Sequence, residues 1–181
     1  MKMQLGLLMF GFLLVLNINA QNPTNKWVAE IGTAFAGYTK PDASVVGGQI
    51  AYQTPRFTLA RYFKWNLTMV GSFATAIGDN QEYTTFDGLL RYNFGNSFDN
   101  IVPYVVVGGS FIQAKRLTPT LNFGVGNTFW ISSKYGVNVQ LLYKFSESKF
   151  QSQKSHIYPS AGLVYSFGAR STSNRIWHSS H

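Results

Sequence analysis

The chain has 181 residues, no cysteine, and 15 Lys and Arg against 7 Asp and Glu, which gives a formal net charge of +8. Only 12% of its residues are charged and 16% are aromatic, whereas soluble domains carry about 25% charged residues. These values disfavour an ordinary water-soluble domain, and the missing cysteine excludes disulfides and thiolate metal sites.

The N-terminus has the pattern of an export signal. Lys2 precedes an apolar run from Leu5 to Leu16, and the small residue Ala20 stands before a plausible cleavage point. The run is shorter than the ~20 residues that a membrane-spanning helix needs. We therefore expect residues 1–20 to be a cleaved signal peptide, and any membrane span of the mature chain to be other than helical.

Eight segments then follow with the signals of extended strands, separated by turn-forming residues. They cover residues 26–38, 56–63, 67–76, 83–94, 102–112, 120–130, 135–146 and 157–167. The seventh is the clearest, because Val137, Val139 and Leu141 alternate with Asn138 and Gln140. The fifth is apolar throughout its middle, so its facing cannot be assigned from the pattern. A sheet of about eight strands with one apolar face is the predicted core of the protein.

The polar face of these strands indicates which side meets the solvent. It is rich in Gly, Ala, Ser, Thr and Asn, whereas a water-facing surface would carry many Lys and Glu. Small polar residues fit the narrow interior of a closed eight-stranded sheet, and the apolar face then points to lipid. The sequence predicts an all-β protein, an eight-stranded antiparallel transmembrane barrel over residues 21–168.

Connector lengths and aromatic residues predict how the barrel sits in a membrane. Connectors after the second, fourth and sixth strands are short, and those after the first and seventh are longer and polar. This is the pattern of outer-membrane barrels with both termini in the periplasm. We expect an aromatic girdle at the rims formed by Trp27, Trp65, Tyr92, Phe94, Trp130 and Tyr135.

Four charged residues fall on the lumen side of the pattern: Glu30, Asp87, Arg91 and Lys144. Isolated interior charges cost several kcal/mol, so these residues must pair. We expect Glu30 and Arg91 to share a level of the barrel. Two interpretations remain open for this network, a structural plug of the lumen or a gated ion path.

The last three strands, "LNFGVGNTFWISSKYGVNVQLLYKFS" and "AGLVYSFG", resemble those of the small outer-membrane barrels of the OmpA and OmpX class, especially the Bacteroidota type. The resemblance covers about residues 26–168. It implies that Leu163, Tyr165 and Phe167 form the signal that the barrel assembly machinery recognises. In place of the peptidoglycan-binding domain of OmpA, residues 169–181 form a polar tail, which we expect in the periplasm.

The basic residues predict an anionic partner. Lys115, Arg116, Lys149 and Lys154 fall on the longer loops, where lipopolysaccharide phosphates would lie, although solvated loop charge explains them equally well. Other basic residues are scattered singly, which is not the pattern of a nucleic-acid surface. Membrane lipid, lipopolysaccharide, the assembly machinery and other outer-membrane proteins are the expected partners.

Catalytic and metal sites are weakly indicated. His156 and Ser160, with Glu147, invite comparison with lipid A deacylases. The residues His178 and His181 are too few for a metal site. We expect no enzyme, cofactor or metal, and predict a structural or interaction role, including that of an accessory subunit of a larger complex. An ion-conducting pore and a lipid A-modifying enzyme are the alternatives.

Overall fold

The eight predicted strands form one closed antiparallel barrel. The computed structural model describes residues 27–39, 49–76, 83–94, 99–114, 117–147 and 154–168. The strands are β1 (Trp27–Gly37), β2 (Ile50–Tyr62), β3 (Leu67–Thr75), β4 (Thr84–Asn93), β5 (Ile101–Gln113), β6 (Leu117–Trp130), β7 (Tyr135–Phe145) and β8 (His156–Ser166). Each strand pairs with the next, and β8 closes the sheet on β1. The predicted fold class is confirmed, while the signal peptide and the tail lie outside the described residues.

The barrel is apolar outside and polar inside, as the alternation predicts. On β7 the outward Val139 and Leu141 are 48% and 47% exposed, whereas Asn138 and Gln140 are buried. The structure also settles the facing of β5, on which Val102, Tyr104 and Val106 point inward. Within the described residues, no helix is long and apolar enough to cross a membrane.

The two ends of the barrel differ, and we name them by their connections. The turn rim holds the C-terminal ends of β2, β4, β6 and β8, with short turns at residues 63–66 and 131–134. The loop rim is the opposite end. On the loop-rim side, β2 begins at Ile50 instead of Arg56 and β6 begins at Leu117 instead of Thr120, because pairing with β1 and β5 extends both strands. In β2 a register shift opposite Gly32 and Ala34 separates the added residues, so that Gln53 and Arg56 both face inward.

The turn at residues 63–66 is tight and well defined. Its backbone closes with the Leu67 N–H donating to the Lys64 oxygen at 2.9 Å, and Trp65 and Asn66 have positive φ angles of 52° and 61°. Two positive φ angles in succession match the right-handed twist of the flanking strands. The turn leaves Trp65 75% exposed at the rim.

One predicted member of the aromatic girdle is wrong. Trp65, Tyr92, Phe94 and Tyr135 are exposed at the turn rim and Trp27 is partly exposed, but Trp130 is only 6% exposed. Trp130 has the same parity as the inward residues Asn122 and Thr128 of β6, so its side chain lies in the lumen. An aromatic residue at a strand end can face either way, and here the alternation of the strand decides.

Candidate functional site in the barrel lumen

The lumen is filled by a connected set of polar side chains, which we call the lumen network. Its first ion pair joins β1 and β2, with Arg56 Nη1 donating to Glu30 Oε1 at 3.1 Å. Asn138 Nδ2, from β7, donates to the other carboxylate oxygen of Glu30 at 3.0 Å. The carboxylate is therefore held from two sides of the barrel, as a buried charge requires.

The second ion pair joins β4 and β7. Lys144 Nζ donates to Asp87 Oδ1 at 2.6 Å, and both side chains are fully buried. Thr85 and Ser72 also donate to Asp87, at 2.8 and 2.9 Å. The Ser72 hydroxyl in turn accepts from Arg56 Nη2 at 3.2 Å, which connects the two ion pairs into one chain across the lumen.

Toward the loop rim, aromatic residues close the lumen. The Tyr158 ring packs against Lys144 Nζ at 4.1 Å, and its hydroxyl donates to Gln53. His156 and Tyr83 share a hydrogen bond of 2.7 Å between Nε2 and the hydroxyl oxygen. The other ring nitrogen of His156 lies 2.7 Å from the Lys154 carbonyl, which accepts from Nδ1–H. Tyr38 completes this aromatic cap, with its ring centroid 4.7 Å from that of His156.

Toward the turn rim, the network ends at a third cation. The Tyr104 hydroxyl donates to Asn138 at 2.8 Å, and the Arg91 guanidinium stacks over the Tyr104 ring at 4.6 Å. A small cavity of about 10 Å³, roughly the space that one water needs, lies beside Arg91 and Glu30. Arg91 Nε and Gln140 Nε2 are among the buried polar atoms that have no hydrogen-bond partner within the described residues.

Apolar side chains line the same cavity toward the turn rim. Its walls carry buried Val, Ala and Trp side chains, namely Val28, Ala60, Val70, Trp130 and Val164. The described lumen thus has three layers, which are an aromatic cap, a charged middle and an apolar base. The two ion pairs lie between the cap and the base, whereas Arg91 lies near the turn rim, two residues before the end of β4.

The structure brings together all four lumen charges that the sequence predicts, but with different partners. Glu30, Asp87 and Lys144 are buried in the network, and Arg91 lies on the wall of the same cavity as Glu30. The ion-pair partner of Glu30, however, is Arg56, which is not among the predicted lumen charges. Arg56 shares its parity with the inward Thr58 and Ala60, so the alternation of β2 contained the signal.

The two residues of the alternative catalytic interpretation, His156 and Ser160, do not meet. His156 and Ser160 both face the lumen and are buried, yet they stand four residues apart on β8, about 13 Å along a strand. Both ring nitrogens of His156 are already hydrogen-bonded, to Tyr83 and Lys154. No group of three or more His, Asp or Glu side chains within the described residues is arranged to hold a metal.

The remaining predicted residues lie at the surface or outside the described residues. Leu163 and Phe167 are outward and 65% and 51% exposed, and the Tyr165 and Phe167 rings make an edge-to-face contact with centroids 5.5 Å apart. Lys154 is half-buried at the loop rim. The predicted loop residues Lys115, Arg116 and Lys149 fall outside the described part of the chain, as do the histidines His178 and His181.

Comparison with solved structures identifies the type of barrel. The N-terminal barrel domain of Pseudomonas aeruginosa OprF matches with a TM-score of 0.61 and 12% identity, over 78% of this chain and 98% of that one. The outer-membrane protein OprG of the same organism matches with a TM-score of 0.57 and 12% identity, over 80% and 96%. The chain has the fold of small outer-membrane barrels. No family model and no curated protein matches the sequence, and its Bacteroidota character stays a prediction.

Proposed function

We propose that this protein spans the outer membrane of a Gram-negative bacterium as a non-enzymatic component with a structural or interaction role, and that its lumen is plugged. Both termini would lie in the periplasm, at the turn rim. The observation that carries the proposal is the lumen network, in which two buried ion pairs are joined through Ser72. The likeness to solved outer-membrane barrels supports the location.

The plug follows from how the network fills the lumen. An ion crossing the barrel would have to displace the cap formed by Tyr38, Tyr83, Tyr158 and His156. It would then have to separate the Asp87–Lys144 pair, in which both side chains are fully buried. Breaking a buried pair costs about 3–5 kcal/mol, so a spontaneous opening would be rare.

Planar-bilayer recording tests the plug. We expect the purified barrel to insert without producing discrete current steps. The double variant Tyr158→Ala/Lys144→Ala removes the side chains that connect the cap to the charged middle. We expect this variant to conduct ions measurably. Steady current steps from the unmodified protein would contradict the plugged lumen.

An ion-conducting pore is a second candidate, because one observation favours it. Arg91 lies on the wall of the cavity that Glu30 also lines, and it forms no ion pair within the described part of the chain. If Glu30 exchanged Arg56 for Arg91, the charged middle would rearrange without leaving a carboxylate unpaired. In that case Arg91→Ala would reduce the current steps of the unmodified protein, whereas a plugged barrel would have none to reduce.

The absence of catalysis is part of the proposal. A lipid hydrolase needs its nucleophile within reach of the membrane, whereas the Ser160 side chain is buried in the lumen and distant along β8 from His156. Mass spectrometry of lipid A from cells with the unmodified protein and with Ser160→Ala should give identical acylation. Loss of an acyl chain from lipid A that depends on Ser160 would refute the absence of catalysis.

The interaction role is tested by copurification. The outer face carries large exposed apolar side chains on all eight strands, and such a face contacts lipid or other membrane-embedded proteins. Gentle solubilisation of the outer membrane, with pull-down and mass spectrometry, would identify stable neighbours. Recovery of the barrel alone would favour a purely structural role over that of an accessory subunit.

A further inference from the structure

One charged residue breaks the apolar surface of the barrel. The strands contain six Asp, Glu, Lys or Arg residues, and those that face the lumen are Glu30, Arg56, Asp87, Arg91 and Lys144. The sixth is Arg61, which pairs across the sheet with Trp27 and Met69. Met69 is 60% exposed and Ala60, the neighbour of Arg61, is buried, so Arg61 faces outward.

The position of Arg61 is that of the membrane edge. It lies one residue before the end of β2 at the turn rim, with its guanidinium carbon 5.2 Å from the centre of the Trp27 ring. A cation on the lipid face is strongly unfavourable at the bilayer midplane and nearly neutral near the interface. Tryptophan is enriched at that same interface. Both side chains therefore fit the headgroup level of the leaflet at the turn rim.

A second cation lies just beyond Arg61 on the turn. Lys64 Nζ stands 4.1 Å from the centre of the Trp65 ring, and Trp65 is exposed. Neither Arg61 nor Lys64 forms an ion pair with any residue that the structure describes. Two cations, each on a tryptophan face and neither neutralised by a carboxylate, make a patch that is complementary to an anion at the membrane surface.

We propose that Arg61 and Lys64, with Trp27 and Trp65, bind the phosphate of an anionic phospholipid in the leaflet at the turn rim. A guanidinium can hold two phosphate oxygens at once, and the ammonium supplies a further point charge. The outward Leu59 and Met69, 47% and 60% exposed, offer apolar surface to the acyl chains. The site lies at the rim opposite the loops on which lipopolysaccharide contacts are predicted.

This proposal rests on the membrane placement of the barrel and not on the state of its lumen. If the lumen conducted ions, the proposed lipid site would be unaffected. A lumen that does not conduct would not count as support for the lipid site. The two proposals are therefore refuted by different results.

Native mass spectrometry of the full barrel tests the site. The protein is folded into vesicles of equimolar phosphatidylcholine and phosphatidylglycerol and transferred to mild detergent, and the lipids that remain bound are counted. We expect the unmodified barrel to retain phosphatidylglycerol in preference to phosphatidylcholine. Arg61→Gln and Lys64→Gln should each lower that preference by about fivefold, the effect of one cation near an anionic surface.

Matched variants separate a built site from general surface charge. Lys134→Gln removes one exposed cation from the other short turn of the same rim and should leave the preference unchanged. Arg61→Lys keeps the charge without the two-pronged contact and should fall between the unmodified protein and Arg61→Gln.

Two results would overturn the proposal. One is an unchanged preference in both glutamine variants, and the other is an equal loss in Lys134→Gln. Each variant is first checked for the compact band of a folded barrel on an unboiled gel. If Arg61→Gln fails that check, Lys64→Gln, whose change lies on an exposed turn, decides the outcome alone.

Discussion

Replacing Lys144 by methionine should destabilise the barrel more than almost any surface change. Lys144 Nζ is fully buried and contacts Asp87 Oδ1 at 2.6 Å, the Thr85 hydroxyl at 2.8 Å and the Tyr158 ring at 4.1 Å. Methionine has a similar length and packs well in irregular spaces. The substitution therefore removes the charge and its hydrogen bonds while leaving most of the volume filled.

The size of the effect comes from the carboxylate that is left behind. Asp87 would retain the hydroxyls of Ser72 and Thr85 but would lose its adjacent cation. Removing one partner of a buried pair typically costs about 3–5 kcal/mol, because the remaining charge is uncompensated. The next cation along the network, Arg56, reaches Asp87 only through Ser72 and is committed to Glu30. We therefore expect Lys144→Met to cost the full amount of about 3–5 kcal/mol.

A double-mutant cycle measures the coupling. Lys144→Met and Asp87→Asn, each alone, should lower the free energy of unfolding by about 3–5 kcal/mol, while the double variant should lose far less than the sum, since no charge is then left unpaired. Urea titration of the barrel folded into phospholipid vesicles, followed by tryptophan fluorescence and by the folded band on unboiled gels, gives the four values.

Two results would contradict this expectation for the Lys144–Asp87 pair. Additive single effects would mean that Lys144 and Asp87 do not act as a pair. A loss below 1 kcal/mol in Lys144→Met would mean that water reaches Asp87 and screens it, which would also speak against a plugged lumen.

Three further predictions concern the packing and orientation of the barrel. Gly124→Ala should cost about 1–3 kcal/mol in urea titration, because its Cβ would overlap the Leu141 backbone oxygen, whereas Gly88→Ala, which meets nothing within 4 Å, should stay within about 0.5 kcal/mol. Equal losses of stability in the two variants would contradict the register of β6 against β7. In single-tryptophan variants, lipids brominated on their acyl chains should quench the fluorescence of Trp65 and leave that of Trp130 unchanged. Strong quenching of Trp130 would mean that its side chain faces the lipid and belongs to the aromatic girdle. The unboiled protein should migrate as a compact band that shifts on heating, and a single unshifted band would count against a closed barrel.

The fold was predictable because it depends on a period-two pattern that is repeated along the chain. Val139 and Leu141 against Asn138 and Gln140 show the pattern most clearly, and the other strands keep it as well, except that β2 changes phase between the buried residues Gln53 and Arg56. The start of β2 at Ile50 was less predictable, because the pairing with β1 has a register shift between Gly32 and Ala34, which puts the alternation of residues 50–53 out of phase with that of residues 56–60. Trp130 shows the same limit, since residue type suggested the interface while parity placed the side chain in the lumen.

The lumen network was predictable only in part. Alternation identified the inward charges Glu30, Asp87 and Lys144, but the partner of Glu30 depends on which strand lies beside β1. The register sets Glu30 against Thr58, one inward position from Arg56, and this information lies in the pairing of two strands and not in either one. The aromatic cap could not be predicted for a similar reason, since Tyr38, Tyr83 and His156 lie at three different strand ends.

The distribution of charge bears on what the barrel could pass if it ever opened. The strands contribute two carboxylates and three basic side chains to the lumen, and the two ion pairs leave Arg91 as the surplus. An entering cation would meet Arg91 near the turn rim, where the low dielectric of the protein strengthens the repulsion. An anion would be attracted to the same group. Any leak through this barrel should therefore favour anions, and Arg91→Ala should remove that preference without disturbing either ion pair.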